Sequence, residues 1–441
     1  MTGISHSIAI VGSGPAGCYL AQSLRREIPD AELVVIEKLP VPYGLVRYGV
    51  AADHQGTKAV SRQFDRLFDR EEVHFIGNVE IGNVGGSISL DELRQMFDVV
   101  VLATGLSDDV PLGIPGSDLP GVVGAGRVTR ALNVHPLTPT DGMYAGESTL
   151  IVGAGNVAID IARLLAKTTA AFSGSDVDDE LRHAITKDLR RIEVVGRSSA
   201  GQARFDLAML RELGQLDGVA FEFHEASSPP TGDEMAFVEI DADEAIAKRK
   251  LLTEIATREV TNPRVTIAFR FGLIAEQILG EGHVERVRFR ASDGLGEAVE
   301  IAANSVFSAV GFRQAADDRL RRDTLVSSIA LPEEGRLDAG LYCAGWLRTG
   351  PRGSIPTHRS EAKRIAGMIA SDLTELASRG TSGLEALRRA TRSSSIGWSS
   401  WLSIDEYERS HAGNERVRAK IRSVDTMLKL ARNPRMADAH P

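Results

Sequence analysis

Ser7-Ile8-Ala9-Ile10-Val11-Gly12-Ser13-Gly14-Pro15-Ala16-Gly17 joins a short apolar run to a glycine-rich turn and then to a helical pattern. The arrangement returns at Gly153-Ala154-Gly155-Asn156-Val157-Ala158, again behind an apolar run and ahead of a helical one. Glycines at this spacing permit a tight turn after a buried parallel strand and a close approach of the backbone to a pyrophosphate. The next helix aims its N-terminus at that charge. A lone match of this kind is weak, but two in the same strand-turn-helix context point to two nucleotide cofactors on one chain.

The first unit continues into a second apolar run, Glu32-Leu33-Val34-Val35-Ile36, which ends in Glu37, 25 positions after Gly12. A carboxylate at that place accepts hydrogen bonds from ribose hydroxyls, so an adenosine with a free 2'-hydroxyl is expected, as in FAD or NAD. The second unit differs twice. Ala158 stands for the third glycine, and Ile192-Glu193-Val194-Val195-Gly196 runs into Arg197 rather than into an acid. A guanidinium pairs with a 2'-phosphate by charge-assisted hydrogen bonds, which favours NADP(H) over NAD(H). Residues 167–190 are polar and longer than a minimal crossover, and an extra exposed helix is expected there.

A chain of 441 residues with 43% hydrophobic content and 43 glycines is long enough for two or three domains with their own cores, and its glycine-rich turns suit an α/β class. Its net charge of -9 gives no support for bulk binding to nucleic acid or to a membrane. No apolar stretch approaches membrane-spanning length, and a first strand at Ser7 leaves no room for a leader, so a cytoplasmic enzyme is expected. The two cysteines, Cys18 and Cys343, lie far apart in apolar runs. That pattern excludes a flavin-adjacent dithiol and a cysteine-ligated iron-sulfur cluster in this chain, and no metal-ligand cluster is evident in the sequence. Electrons must then leave a flavin directly for an outside acceptor.

Two further runs, Val99-Val100-Val101-Leu102-Ala103-Thr104-Gly105 and Val306-Phe307-Ser308-Ala309-Val310-Gly311, read as closing strands of nucleotide domains. They bracket an insertion. The expected architecture is two Rossmann-like dinucleotide-binding domains of glutathione-reductase-like type. Residues 1–105 and 325–441 form a discontinuous FAD domain, and residues 106–324 form the NAD(P)H domain.

Several specific blocks accompany the turns: Pro42-Tyr43-Gly44-Leu45-Val46-Arg47-Tyr48-Gly49-Val50-Ala51-Ala52-Asp53-His54, Gly77-Asn78-Val79, Gly155-Asn156-Val157-Ala158-Ile159-Asp160-Ile161-Ala162-Arg163 and Gly345-Trp346-Leu347-Arg348-Thr349-Gly350-Pro351-Arg352-Gly353-Ser354-Ile355. Over nearly its whole length the sequence resembles the adrenodoxin-reductase-like ferredoxin-NADP+ reductases. The resemblance implies FAD contacts from Ala16, Glu37, Leu45, Val79, Trp346 and the Gly353-Ser354-Ile355 turn, around the Gly12-Ser13-Gly14-Pro15 loop. It places His54, Trp346 and Gly353 where the nicotinamide meets the flavin. There His54 either tunes the flavin and relays a proton or is only a structural hydrogen-bonding residue. For the second nucleotide it implies Gly153, Ala154, Gly155, Asn156, Val157 and Arg197. The family's second arginine is here Ser198, which can still donate a hydrogen bond to the cofactor, with Arg204 as the candidate replacement charge, and a family glutamate near the cofactor is here Met209. NADPH is therefore expected, with NADH as the alternative.

The implied chemistry is hydride transfer from nicotinamide to FAD, then single-electron transfer to a small acidic ferredoxin that supplies a cytochrome P450 or an oxygenase. Arg204, Arg211, Arg348, Arg352 and Arg359 are the candidate docking rim. The alternatives are a flavin-dependent monooxygenase and a non-catalytic nucleotide-binding redox sensor. Toward the end of the chain, residues 371–397 read as exposed helix and loop, and Arg416 to Ala431 as a helical run.

Overall fold

The computed structural model describes residues 6–82, 88–225, 241–295, 297–315, 320, 325, 334–353, 355–380, 382–392 and 394–433. The chain lays down β1 (Ser7–Val11), β2 (Glu32–Ile36), β3 (Val73–Ile76) and β4 (Val99–Leu102), whose side chains are almost all buried. Continuous apolar runs of this kind suit strands covered on both faces, as parallel sheets require. It then leaves through the short β5 (Asp108–Asp109) and builds a second sheet from β6 (Val122–Gly124), β7 (Ser148–Val152), β8 (Arg191–Gly196), β9 (Val219–Glu225) and β10 (Val265–Phe271). Next comes a three-stranded antiparallel sheet, β11 (Leu273–Leu279), β12 (Arg286–Ala291) and β13 (Val299–Ala302). β14 (Ser305–Ser308) re-enters the second sheet, β15 (Phe312–Arg313) pairs antiparallel with β5, and β16 (Arg336–Asp338) and β17 (Leu341–Cys343) complete the first sheet.

The first sheet has the order β16-β17-β4-β1-β2-β3 and the second β6-β14-β7-β8-β10-β9. Every pairing in both is parallel except β16 with β17. β1 and β7 hold equivalent places, each between the next strand of its unit and the strand that closes it. Strand order reverses at such a point, and the crevice beyond the strands' carboxyl ends is where α/β folds bind ligands.

Helix α1 (Pro15–Glu27) comes after β1, α2 (Gly44–Tyr48) after β2, and α3 (Asn156–Ala166) after β7. The polar 167–190 stretch contains α4 (Asp179–Thr186), which is not wholly exposed because Arg182 and Ile185 are buried. Later helices are α5 (Leu207–Gly214), α6 (Trp346–Thr349), α7 (Thr357–Asp372) and α8 (Gly383–Ala390). α7 packs on α1 through Ala362, Ile365, Ala366 and Ile369.

Two late segments depart from the sequence reading. α8 is a packed helix, with Leu384 and Leu387 buried in the core of the first sheet and Ser382 Oγ bonded to Glu32 at 2.5 Å. Arg416 to Ser423 is not helical. It lies across the second domain as a strap, with Val417 N donating to Ser175 O at 3.0 Å and Arg416 Nη2 2.8 Å from Asp179. Lys420 joins Lys58 on the buried Asp176, at 2.9 and 2.7 Å, and Arg422 pairs with Asp178. Three cations of the strap, Arg416, Lys420 and Arg422, set against Asp179, Asp176 and Asp178 suit an extended path, since positions 420 and 422 would face opposite sides of a helix. Only the final segment, Val424–Arg432, is helical.

Candidate functional site

The two glycine-rich turns share the same bonding. Gly12 N donates to Ile36 O at 2.7 Å and Gly153 N to Val195 O at 2.8 Å. Ala103 N donates to Val11 O and Ala309 N to Val152 O, both at 2.8 Å. Gly12 and Gly153 have φ of 109° and 129°, and a Cβ on either would overlap a carbonyl oxygen, that of Ala103 or Ala309. These first glycines are required by the backbone itself.

The second glycines are different. Gly14 and Gly155 have extended backbones, with φ of -69° and -112°, and a Cβ on either would meet nothing within 4 Å. Neither conformation nor packing asks for glycine there; a ligand lying against the backbone does. Each of these residues is also the N-cap of its helix and supplies no side-chain acceptor, so the first-turn N–H groups of α1 and α3 lack a capping partner from it. Open glycines over uncapped helix starts fit the pyrophosphates of two dinucleotides. At the third position a Cβ on Gly17 would overlap Gly12 O, whereas Ala158 fits fully buried in the second turn.

Around the first turn, Glu37 is buried and its Oε2 accepts from Ser13 N at 3.1 Å and Ser13 Oγ at 2.6 Å, while Oε1 accepts from Leu39 N at 3.1 Å. A carboxylate offers roughly four acceptor positions, so capacity remains for a ribose hydroxyl. Val79 N donates to Glu37 O at 2.9 Å, a Cβ on Gly44 would lie 3.3 Å from Gly14 Cα, and one on Gly345 would lie 2.6 Å from Ala16 Cβ. Leu45, Val79 and the start of the Gly345-Trp346 block are thereby gathered on Gly12 to Ala16, with Pro15 opening α1. The Trp346 ring stacks on Phe312 of β15 at 5.5 Å, and its Nε1 donates to Arg352 O at 3.1 Å. Gly353 is exposed with φ of 85°, Ile355 packs on the core of the first sheet, and Ser354 lies outside the described residues.

Around the second turn, Ala154 lies against Gly196, and Val157 packs on the second domain's core. Arg197 is exposed at the end of β8, and Ser198 O accepts from Gly272 N at 3.1 Å. Asn156 and Asp206 exchange two hydrogen bonds, each 2.8 Å. Met209 packs on the same core. Glu212, one turn further along α5, is the acid at the junction, a residue the sequence reading does not single out. A glutamate three positions after Met209 on a helix is the available signal.

His54 does not sit on the first turn; it faces the second domain. Its Nδ1 is 3.6 Å from Asp160 on α3 and its Nε2 3.2 Å from Glu212 on α5. Arg163, fully buried one turn after Asp160, pairs with Asp160 at 2.7 Å, with Glu212 at 3.2 Å and with Asp53, which Lys167 also holds at 2.6 Å. Burial pushes the Asp53 carboxyl up, but Arg163 and Lys167 outweigh it and keep it below the ordinary carboxylate value. Burial pushes Asp160 up, only partly offset by Arg163 and His54. Asp53 Oδ1 and Arg163 Nε are buried without a partner among the described residues. The junction thus sets the His54 ring between two carboxylates, with buried polar atoms in reserve for a ligand or water.

Of the five rim arginines, Arg204, Arg211, Arg352 and Arg359 are exposed, while Arg348 is half-buried with Nε 2.6 Å from Glu361. Cys18 and Cys343 are buried free thiols, and Cys18 Sγ donates to Ser13 O at 3.2 Å. Among the described residues no group of three or more His, Cys, Asp or Glu could hold a metal ion, and no helix is long and apolar enough to cross a membrane.

Comparison with known proteins places this geometry. Residues 6–213 match the family described as pyridine nucleotide-disulphide oxidoreductase. The chain is 43% identical to a cindoxin reductase of Citrobacter braakii over 98% of its own length and 92% of the relative's. It is 31% identical to a probable mitochondrial NADPH:adrenodoxin oxidoreductase of Schizosaccharomyces pombe, over 96% and 95%. The solved structure of Mycobacterium tuberculosis FprA in complex with NADPH matches with a TM-score of 0.84 and 28% identity, over 97% of this chain and 100% of that one.

Proposed function

This chain belongs to the adrenodoxin-reductase-like ferredoxin-NADP+ reductases, and from that premise we propose that it is an FAD-dependent oxidoreductase that takes a hydride from NADPH and delivers single electrons to an iron-sulfur ferredoxin, which in turn supplies a P450 or an oxygenase. The observation that carries this reading is the pair of glycines, Gly14 and Gly155, kept open over two uncapped helices in equivalent crevices.

FAD is assigned to residues 1–105 with 325–441, where Glu37 retains an acceptor position for ribose, and NADP(H) to residues 106–324, where Arg197 meets the 2'-phosphate. Bound flavin supplies the exchange between a two-electron donor and a one-electron acceptor. The protein's share is orientation. The helix starts hold the pyrophosphates, and Asp53, Asp160, Arg163 and Glu212 tie the two domains so that the nucleotides' reactive ends meet at one junction. His54, held between carboxylates of the second domain, is set to move a proton there. Trp346 and Gly353 are assigned to the flavin side of the junction. The exposed arginines attract an acidic partner to a chain that is otherwise net negative. Two buried free thiols suit a reducing compartment, and the enzyme is placed in the cytoplasm.

The test is NADPH oxidation by the purified protein in air, with and without an acidic ferredoxin. Rapid reduction of the ferredoxin, falling as salt is raised, is expected. Oxygenation of an organic substrate without ferredoxin would make it a monooxygenase, and binding without turnover a sensor.

A further inference from the structure

We propose that Arg204 binds the pyrophosphate of the nicotinamide dinucleotide, a contact shared by NADPH and NADH, so that it adds affinity for both and selectivity for neither. The proposal rests on the second turn being the nicotinamide site.

Four observations carry it. Arg204 is registered onto the turn by a parallel bridge to Gly155, and its N–H donates to Ala154 O at 2.9 Å. Its neighbours Ala203 and Phe205 are both buried, at 1% and 0% exposure, so alternation along an extended segment turns the Arg204 side chain outward, to the open side of the turn. On that side a Cβ on Gly155 would meet nothing within 4 Å, which is the space left for a ligand. The guanidinium also has no hydrogen-bond or ion-pair partner among the described residues, whereas Arg163, Arg191, Arg258 and Arg270 of the same domain are each committed to a carboxylate or carbonyl.

Charge completes the picture. Asp206, two residues on and exposed, holds a carboxylate beside the turn through Asn156 Nδ2 at 2.8 Å. Without Arg204 the mouth of the turn would present that negative charge to an incoming pyrophosphate. With it, the acid is offset and a charge-assisted donor is added to the helix start. Arg197 lies instead at the end of the neighbouring strand β8, where the ribose 2'-substituent is read. The two arginines therefore divide the ligand: Arg197 tests for the 2'-phosphate, and Arg204 grips what every dinucleotide carries.

Equilibrium binding to the holoprotein, read by calorimetry or by flavin absorbance change, separates these roles with NADP+, NAD+ and 2'-AMP as probes. Arg204→Ala is expected to weaken NADP+ and NAD+ by the same factor, about tenfold, and to leave 2'-AMP unchanged, with Arg204→Lys recovering part of the loss. Arg197→Ala should weaken NADP+ and 2'-AMP but not NAD+. A loss at Arg204 confined to NADP+ and 2'-AMP would put it on the 2'-phosphate and overturn the proposal, as would unchanged affinity for all three. Failure of the unmodified protein to bind either dinucleotide would instead overturn the functional reading itself.

Discussion

The two nucleotide units share a frame down to single hydrogen bonds and diverge immediately outside it. In each, the first glycine passes under a carbonyl of the closing strand and the second faces open space. The residue after the second strand is opposite in sign: Glu37 is buried and bonded to Ser13 and Leu39, whereas Arg197 is exposed. In the function proposed above, the shared frame binds a dinucleotide and the residues one strand away select which.

The largest expected effect tests the shared frame. Gly12→Ala and Gly153→Ala each combine a left-handed backbone with overlap on a carbonyl oxygen, and each should cost about 2–3 kcal/mol in urea unfolding. A loss at only one of them would break the equivalence. Next comes the divergence: Arg197→Glu should weaken NADP+ about 100-fold, leaving NAD+ bound as before. Gly14→Ala and Gly155→Ala sharpen the distinction between fold and function. Both should stay within about 0.5 kcal/mol of the parent stability, yet lose about tenfold in affinity for FAD and NADP+ respectively. Ser198→Arg should raise the NADPH over NADH preference about fivefold, and an unchanged ratio would remove that position from the 2'-phosphate site.

The effect that is smallest at neutral pH concerns the seam between the units, where the His135 ring meets Tyr48 edge-on at 4.8 Å. Burial, with Arg130 and Lys38 nearby, lowers its pKa from 6.5 to about 3. The unfolded chain takes up this proton before the folded one does. His135 therefore contributes stability that is present above pH 6.5 and is lost as pH falls from 6.5 toward 3. His135→Gln should flatten that part of the stability profile, measured as the urea midpoint at neutral and acid pH.

The strands around the turns are legible in the sequence to the residue, at Ser7–Val11 and Glu32–Ile36, because parallel strands buried on both faces leave unbroken apolar runs. The strap from Arg416 to Arg422 reads as helix because the reasons for its extended path are aspartates some 240 positions away, and no local period records them. The packing of α8, not the helix itself, is hidden: Ser382 caps it and Arg388 and Arg389 end it, beside a buried stripe of only Leu384 and Leu387. His54 is legible as a residue but not as a junction, since Asp160 and Glu212 reach it only through the docking of two domains.

The most direct measurement is anaerobic mixing of the flavin-loaded protein with NADPH and with NADH, tracking the flavin absorbance. The account predicts bleaching by both, faster and at lower concentration with NADPH. Bleaching by neither would contradict the claim that the two turns bring a nicotinamide and a flavin together.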